Sequence, residues 1–251
     1  MLKVAREPWV DAMRALALLG VFLINGLGYA FSPDYPLQVG PPQPIDSFWA
    51  SAALGLVIAL VQGKAWSLLS FLFGYSLCAM SLGNRRHNVN SLKALHRRYL
   101  KLFLIGVFHG VFLYFGDILT TYGLCGLLAS KWALARPAHL IKIWKYLSWL
   151  VGMITLLIIG SAVYGSVVDV SSLAGKLEIA TLDRFGNRSS FTKFLELNSI
   201  SFVWQQLYSI FFFLPFVLWC CVTGILARRF KLLSINRRSM EFWQKSSSFV
   251  M

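Results

Sequence analysis

Charged side chains are scarce in this chain, and cysteines are scarcer. Charged residues make up 14% of its 251 residues, whereas soluble domains carry about 25%. The four cysteines show no CxxC or other metal-ligand spacing, which argues against a disulfide-rich domain and a zinc domain. We therefore expect no bound metal, and a fold that depends on apolar residues.

Apolar residues are correspondingly abundant and make up 57% of the sequence. Hydrocarbon offers the backbone no other hydrogen-bond partners, so segments that cross it must be helical. A crossing needs about 20 apolar residues. Runs near this length occur at 12–31, 47–62, 65–82, 99–115, 118–134, 146–166 and 202–227. The sequence predicts an all-α polytopic transmembrane helix bundle, with residues 1–251 as a single transmembrane domain.

The net charge of +14 would suggest a nucleic-acid partner in a soluble protein. Here the Lys and Arg residues cluster between the apolar runs, which is typical of cytoplasmic loops. If 47–62 is re-entrant or interfacial, six spans remain and 19 of the 24 basic residues lie inside. Seven spans, with the N-terminus outside, would leave 16 inside. We favour six spans and expect no nucleic-acid partner.

This topology assigns each loop to a side of the membrane. The basic segments 85–101 and 131–145 and the basic tail 228–251 are predicted to be cytoplasmic. The proline-rich segment 32–46 is predicted to be an irregular outer loop. The polar stretch 167–201 is predicted to be an outer loop that is partly helical.

Two ionisable residues stand among the middle apolar runs. His109 lies within the run 99–115, and Asp117 follows eight residues later. Charge inside a span costs about 2.5–3.5 kcal/mol on insertion scales, which makes such residues functional candidates. A carboxylate can fix a histidine's tautomer and leave its other nitrogen as a base. The structural alternatives are an interhelical hydrogen bond for His109 and a helix N-cap for Asp117.

The first span carries a second group of polar residues on one helical face. Asp11 and Arg14 are three residues apart, which predicts an ion pair. Asn25 lies eleven residues beyond Arg14, and eleven steps of 100° return to within about 20° of the same face. A guanidinium binds phosphate in bidentate fashion, so Arg14 is a candidate for holding an anion. The alternative is an interfacial ion pair plus one packing hydrogen bond from Asn25.

Further polar residues stand at the run 65–82. Lys64 precedes the run and is a candidate substrate-binding residue, with anchoring at the lipid head groups as the alternative. Ser67, Ser70 and Gly74 share one helical face, which is typical of a packing surface between helices. Ser70 is also a candidate hydrogen-bond donor to a substrate.

Taken together, these segments resemble the YeiB-like family of bacterial multi-pass inner-membrane proteins. The resemblance covers about residues 6–130, where four stretches stand in order: Asp11-Ala12-Met13-Arg14 running on to Asn25, Gly63-Lys64 with Ser70-Phe71-Leu72-Phe73-Gly74, Arg97-Arg98 with His109-Gly110, and Gly116-Asp117-Ile118-Leu119 with Tyr122. The family looks related to membrane acyltransferases of the heparan glucosaminide acetyltransferase type. The resemblance implies a helical bundle in the bacterial inner membrane with an acyl-transfer site.

The chain departs from the family pattern in two respects. Arg14 is followed by Ala15, where family members commonly have an Arg-Gly pair, and those members continue with several more helices. We therefore expect a short or truncated member. The glucosaminide enzymes place a catalytic histidine in the loop after the corresponding first span, and residues 26–48 contain no histidine. That role cannot be carried over, and His109 is the intramembrane candidate.

The resemblance implies acyl transfer to an envelope glycan or a small-molecule acceptor. No permanently bound cofactor is expected, because acyl-CoA or a similar donor would supply the acyl group. His109 would act as general base, and Asp117 would orient it. Arg14 would hold the donor's anionic part from the cytoplasmic side. Asn25 or Ser70 would donate a hydrogen bond to the developing oxyanion.

Two other functions remain open from the sequence. In a transporter or proton-coupled permeation protein, His109 and Asp117 would relay protons. In a non-catalytic membrane component, the basic inner loops would bind anionic lipid or a partner protein. The lipid bilayer is a partner in every case, and an oligomer is compatible with each.

Overall fold

The computed structural model describes residues 8–31, 63–87, 89–167 and 191–233, together with isolated positions between 52 and 61. Every regular element in these ranges is helical, and none of the described residues lies in a strand. The predicted all-α class is therefore confirmed over this part of the chain.

The first three helices are α1 (Pro8–Phe31), α2 (Lys64–Arg86) and α3 (Ser91–Phe112). Proline suits the first position of α1, because the amide there would lack an intrahelical partner in any case. Gly63, just before α2, has a φ of 76°, in the left-handed region that favours glycine. Asn90 caps α3, since its side chain accepts a hydrogen bond from the Lys93 amide at 3.1 Å.

The later helices are α4 (Leu119–Ala129), α5 (Pro137–Val167), α6 (Phe191–Tyr208) and α7 (Leu214–Arg229). A π-helical turn, Ser209–Phe213, joins α6 to α7. Pro215 lies in the first turn of α7 and has no amide proton. The α-helical bonding pattern is therefore interrupted just before it, where the π-turn lies.

The core of the bundle lies where α7 packs along α2 and beside α4. Glycines allow the closest approach between α2 and α7. A β-carbon at Gly74 would lie 1.9 Å from the carbonyl oxygen of Cys221, and one at Gly224 would lie 2.0 Å from that of Phe71. Small residues of this kind let helix backbones come together within a membrane. On either side of this core, α1 packs on α2 and α3 packs along α4.

Helix α5 contacts the bundle through α7. The indole of Trp144 donates a hydrogen bond to the hydroxyl of Thr223 at 3.0 Å, and that of Trp219 donates to the hydroxyl of Ser148 at 2.8 Å. Much of the rest of α5 is apolar and exposed, including Leu156. An apolar exposed helix of this length suits contact with lipid.

Three described helical stretches are long and apolar enough to cross a membrane: Lys64–Arg85, Pro137–Ser161 and Asn198–Arg229. They contain most of the predicted runs 65–82, 146–166 and 202–227. The run 118–134 differs, because α4 has 11 residues and rises about 16 Å, roughly half of a 30 Å hydrocarbon core. The described residues do not confirm six spans.

Several predicted loops fall mainly outside the described residues. They include most of the interfacial segment 47–62, the loop 32–46 and the tail beyond residue 233. The predicted outer loop 167–201 is helical at its end, because α6 begins at Phe191. That helix brings Asn198, from the polar stretch, into contact with the end of α3.

Candidate functional site

Asp117 lies in the connection between α3 and α4, and both of its carboxylate oxygens have partners. Oδ2 accepts hydrogen bonds from the backbone amide and the hydroxyl of Thr120, each at 2.7 Å. Oδ1 lies 3.0 Å from Nδ1 of His109. The contact with the Thr120 amide satisfies a first-turn amide of α4 as a cap does, although Ile118, and not Asp117, stands at the N-cap position. Asp117 therefore caps one helix and contacts the end of another.

His109 lies in the last turn of α3. Its side chain is 36% exposed, whereas that of Asp117 is 1% exposed. A buried carboxylate is stable only when it has partners, because burial of an unpaired charge is costly. Asp117 contacts Nδ1 of the imidazole, so Nε2 is the ring nitrogen outside this contact. The predicted pair is thus a direct contact, and no bridging water is needed.

Two glycines of α3 bring this pair together with its surroundings. A β-carbon at Gly106 would lie 2.3 Å from the amide nitrogen of Thr120 in α4. A β-carbon at Gly110 would lie 2.1 Å from the ring of Phe202 in α6. The small-residue face predicted around His109 therefore packs against two different helices.

Helix α6 supplies two polar residues that the sequence reasoning missed. The side chain of Asn198 bonds the backbone of Gly110, Val111 and Phe115. The side chain of Gln206 donates to the carbonyl oxygen of Asp117 at 3.3 Å. The signal that could have found them is an amide beside or within a long apolar run: Gln206 lies within the predicted run 202–227, and Asn198 lies four residues before it.

The predicted ion pair in α1 is present. Nη1 of Arg14 lies 2.9 Å from Oδ1 of Asp11. Nη2 of the same guanidinium donates to the hydroxyl of Ser76 in α2. Both charged side chains are partly exposed, so the pair contributes at most about 1 kcal/mol to stability. Its main consequence is to hold the guanidinium at the wall of a cavity.

This cavity has a volume of about 1290 Å³ and lies between α1, α2 and α3, with α7 at one side. Its wall carries five Arg and Lys side chains: Arg14, Arg97, Arg98, Lys101 and Arg228. Asp11 is the single acidic residue among the described lining residues. The cavity is larger than the roughly 300–1,000 Å³ of common small-molecule sites, and its excess positive charge favours an anionic ligand.

Apolar and aromatic side chains line the rest of the cavity, including Leu69, Phe73 and Ile105. Tyr99 also lines it, and its buried hydroxyl has no hydrogen-bond partner among the described residues. A buried polar group without a partner is costly unless a ligand or water satisfies it. The cavity therefore combines cationic side chains with an apolar and aromatic wall.

His109 and Asp117 do not line this cavity, but α3 connects the two places. Lys101, Ile105 and His109 follow one another at four-residue spacing, which puts them on one face of the helix. The first two line the cavity. Along α3, the lining therefore ends one helical turn before His109, a rise of about 6 Å.

The remaining predicted site residues lie elsewhere. The Ser70 hydroxyl is fully buried, donates to the Trp66 carbonyl at 2.7 Å and lies 2.7 Å from the Tyr122 hydroxyl. Lys64 is the exposed first residue of α2. Asn25 falls within α1, but its side chain is outside the described part of the chain. Among the residues described, no three His, Cys, Asp or Glu side chains are grouped to hold a metal.

Curated bacterial proteins are similar to this chain in sequence. The uncharacterized protein YeiB of Escherichia coli (strain K12) is 33% identical over 162 residues, covering 62% of this chain and 38% of YeiB. The uncharacterized protein YxaH of Bacillus subtilis (strain 168) is 28% identical over 138 residues, covering 54% of this chain and 34% of YxaH. An uncharacterized 39.9 kDa protein from the amylase 3' region of Bacillus acidopullulyticus is 31% identical over 121 residues, covering 47% of this chain and 32% of that protein.

The chain therefore spans about a third of the length of the curated relatives that it matches. No family model matches the sequence. No solved structure is similar to it either. The matched relatives support the resemblance drawn from the motifs: this chain is a homologue of the uncharacterised bacterial proteins YeiB and YxaH.

Proposed function

We propose that this protein is an acyltransferase-like enzyme of the bacterial inner membrane, which passes an acyl group to an envelope glycan or a small-molecule acceptor. One observation carries the proposal: a cationic cavity lies along α3, and the hydrogen-bonded pair His109–Asp117 lies one turn beyond its lining. A cavity of this charge suits an anionic carrier. A base beyond its end suits a reaction at the carrier's far end.

His109 is the general base of the proposed reaction. Its Nε2 takes the proton from the acceptor hydroxyl or amine as the acceptor attacks the acyl carbonyl. Asp117 accepts the hydrogen bond from Nδ1–H, which fixes the tautomer and stabilises the imidazolium. The bond between the acyl carbon and the carrier sulfur then breaks. The imidazolium gives its proton to the departing thiolate, so that His109 returns to its neutral form.

Acyl-CoA, or a donor of similar shape, fits the length of this arrangement. Arg14 holds the anionic part of the donor, with Arg98 and Lys101 on the same cavity wall. From Lys101 to His109 the helix rises about 12 Å over eight residues. A donor with a long flexible arm spans that length, and a small donor does not. Asn25 is the remaining proposed oxyanion donor, because the hydroxyl of Ser70 is already engaged.

The proposal includes a membrane arrangement of six spans with the N-terminus inside. The basic residues of the cavity then lie toward the cytoplasm, where soluble acyl-CoA is available. His109 lies eleven residues beyond Arg98 in α3, about 16 Å closer to the outer face. The reaction would therefore take place toward the outer side of the bundle.

The test uses the purified full chain in lipid nanodiscs with acetyl-CoA or palmitoyl-CoA and an envelope extract as acceptor. Release of free thiol is measured for the parent protein, for His109→Ala and for a matched control, His139→Ala. His139 is exposed and does not belong to the His109–Asp117 pair. We expect release by the parent and the control, and loss of release in His109→Ala. Equal release by all three proteins would contradict the proposal.

Proton-coupled transport is the second candidate, because a partly exposed imidazole bonded to a buried carboxylate also suits a proton relay. The two functions are separated in vesicles loaded with a pH-sensitive dye. Proton flux that depends on His109, without thiol release from either donor, would favour transport over acyl transfer.

A further inference from the structure

Helix α6 presents three side chains at four-residue spacing to the segment that connects α3 with α4. They are Asn198, Phe202 and Gln206, which lie on one face of the helix. Asn198 and Phe202 are buried, and Gln206 is half-buried. Phe202 occupies the space that a side chain at position 110 would need. Thus α6 packs against the stretch of chain that carries both members of the pair.

The side-chain amide of Asn198 is fully used in this contact. Nδ2 donates to the carbonyl oxygens of Gly110, at 2.8 Å, and Val111, at 2.6 Å. Oδ1 accepts from the backbone amide of Phe115 at 3.0 Å. Both amide protons and the carbonyl oxygen therefore have partners, and the reversed orientation of the amide would satisfy none of them. A helix leaves its last carbonyls without intrahelical partners, and Asn198 supplies partners for two of them.

Gln206 holds the other end of the same connection. Its Nε2 donates to the backbone carbonyl of Asp117 at 3.3 Å. The carboxylate of that residue is fixed separately, by Thr120 on one oxygen. Asn198 thus bonds the backbone next to His109, while Gln206 bonds the backbone of Asp117. Neither side chain touches the imidazole or the carboxylate in a described hydrogen bond.

We infer that Asn198 and Gln206 are positioning residues for the His109–Asp117 pair, so that α6 belongs to the site although it supplies no reacting group. The inference rests on the proposed function only for what the pair does once it is positioned. The Nδ1–Oδ1 contact is 3.0 Å long, and a contact stretched to about 4 Å is no longer a hydrogen bond. A backbone shift of about 1 Å at either residue would break it.

The tautomer of His109 reports this positioning without any substrate. A carboxylate that accepts from Nδ1 holds the proton on that nitrogen, and loss of the contact releases this constraint. The experiment replaces His87, His96 and His139 with glutamine, which leaves His109 as the single histidine. The ¹⁵N-histidine-labelled protein is then studied by NMR in nanodiscs under conditions where the imidazole is neutral. We expect the Nδ1–H signature in this parent.

Asn198→Ala and Gln206→Ala are expected to give a mixture of Nδ1–H and Nε2–H signatures. The matched control is Gln205→Ala, which removes the same kind of side chain from the next, half-buried position of α6. It should keep the parent signature. Because Asn198→Ala removes a buried network and lowers stability, Gln206→Ala is the milder variant that decides the matter if the first fails to fold.

An unchanged tautomer in folded Gln206→Ala would overturn the inference and leave α6 with a packing role. So would the same shift in Gln205→Ala, because the effect would then be unspecific. A shifted tautomer in a protein that transfers no acyl group would leave the positioning role standing. In that outcome the proposed function alone would fail.

Discussion

Asp117 and Thr120 contact each other twice, because one carboxylate oxygen accepts both the amide and the hydroxyl of Thr120. This double contact orients the carboxylate so that its other oxygen meets His109 at 3.0 Å. Capping and histidine contact are therefore not alternatives at this position. The carboxylate that satisfies a first-turn amide of α4 also contacts the imidazole.

The first prediction concerns the hydroxyl of that contact. Thr120→Val keeps the shape of the side chain and the amide bond but removes one hydrogen bond to a buried carboxylate. We expect a loss of stability of about 1.5–3 kcal/mol, as for hydrogen bonds to charged groups. Thermal unfolding in detergent measures it, with Thr121→Val as the control at the neighbouring buried threonine. Equal losses in both variants would contradict the special role of Thr120.

The second prediction concerns the close approach of α3 to α4. Gly106→Ala places a β-carbon 2.3 Å from the Thr120 amide nitrogen, so one backbone must move. Overpacking of this kind costs about 1–3 kcal/mol. Gly152→Ala in α5 is the matched control, because its β-carbon would meet nothing within 4 Å. We expect a lower melting temperature for the first variant and no loss for the second; the reverse order would disprove the packing argument.

The third prediction concerns the pair as one unit. His109→Ala and Asp117→Asn are each expected to lower thiol release about 10²–10⁴-fold, the usual contribution of general acid–base catalysis. The double variant should be little worse than either single one, because each change already disables the same step. Rates of purified, folded protein are compared in the nanodisc assay. Independent effects that multiply in the double variant would show that the two residues act separately.

Short-range relationships were the part of the site that the sequence could predict. His109 and Asp117 are eight residues apart, and Gly116 directly precedes Asp117, so a turn returns the chain and brings them together. Asp11 and Arg14 are one helical turn apart, and their ion pair is present as expected. Both predictions needed only helix geometry and a turn.

Contacts between distant parts of the chain could not be predicted in the same way. Asn198 is 83–88 residues from the backbone groups that it bonds, and only packing brings α6 to them. The cavity likewise forms from Arg14 and Arg228, which lie on helices at opposite ends of the described chain. The apolar run 118–134 extends beyond α4, which ends at Ala129 and is followed by turns. The end of this helix could not be predicted, because apolar composition alone does not separate a helix from the turns that follow it.

The fourth prediction tests the topology. Val89→Cys introduces a thiol at an exposed position before α3, and Leu113→Cys introduces one at an exposed position after it. The four native cysteines are buried and give a low background. In intact cells with a permeable outer membrane, an impermeant maleimide should label position 113 and spare position 89, since the basic segment 85–101 is proposed to be cytoplasmic. Strong labelling at 89 with none at 113 would reverse the orientation.

The last prediction concerns Arg14, the proposed anion-binding residue of the cavity. Arg14→Gln removes a guanidinium whose charge-assisted hydrogen bonds to a phosphate would contribute about 1.5–3 kcal/mol, so the KM for acyl-CoA should rise roughly 10- to 150-fold. The maximal rate should change little, because Arg14 lies in the cavity lining, to which His109 does not belong. Arg14→Lys, which keeps the charge but loses the planar guanidinium, should have a KM between those of the parent protein and Arg14→Gln.

Arg136→Gln is the matched control, since it removes an exposed arginine outside the cavity lining and should leave the KM unchanged. The KM difference should also shrink as salt rises, because exposed charges are screened. An unchanged KM in Arg14→Gln would place the donor's anionic part elsewhere.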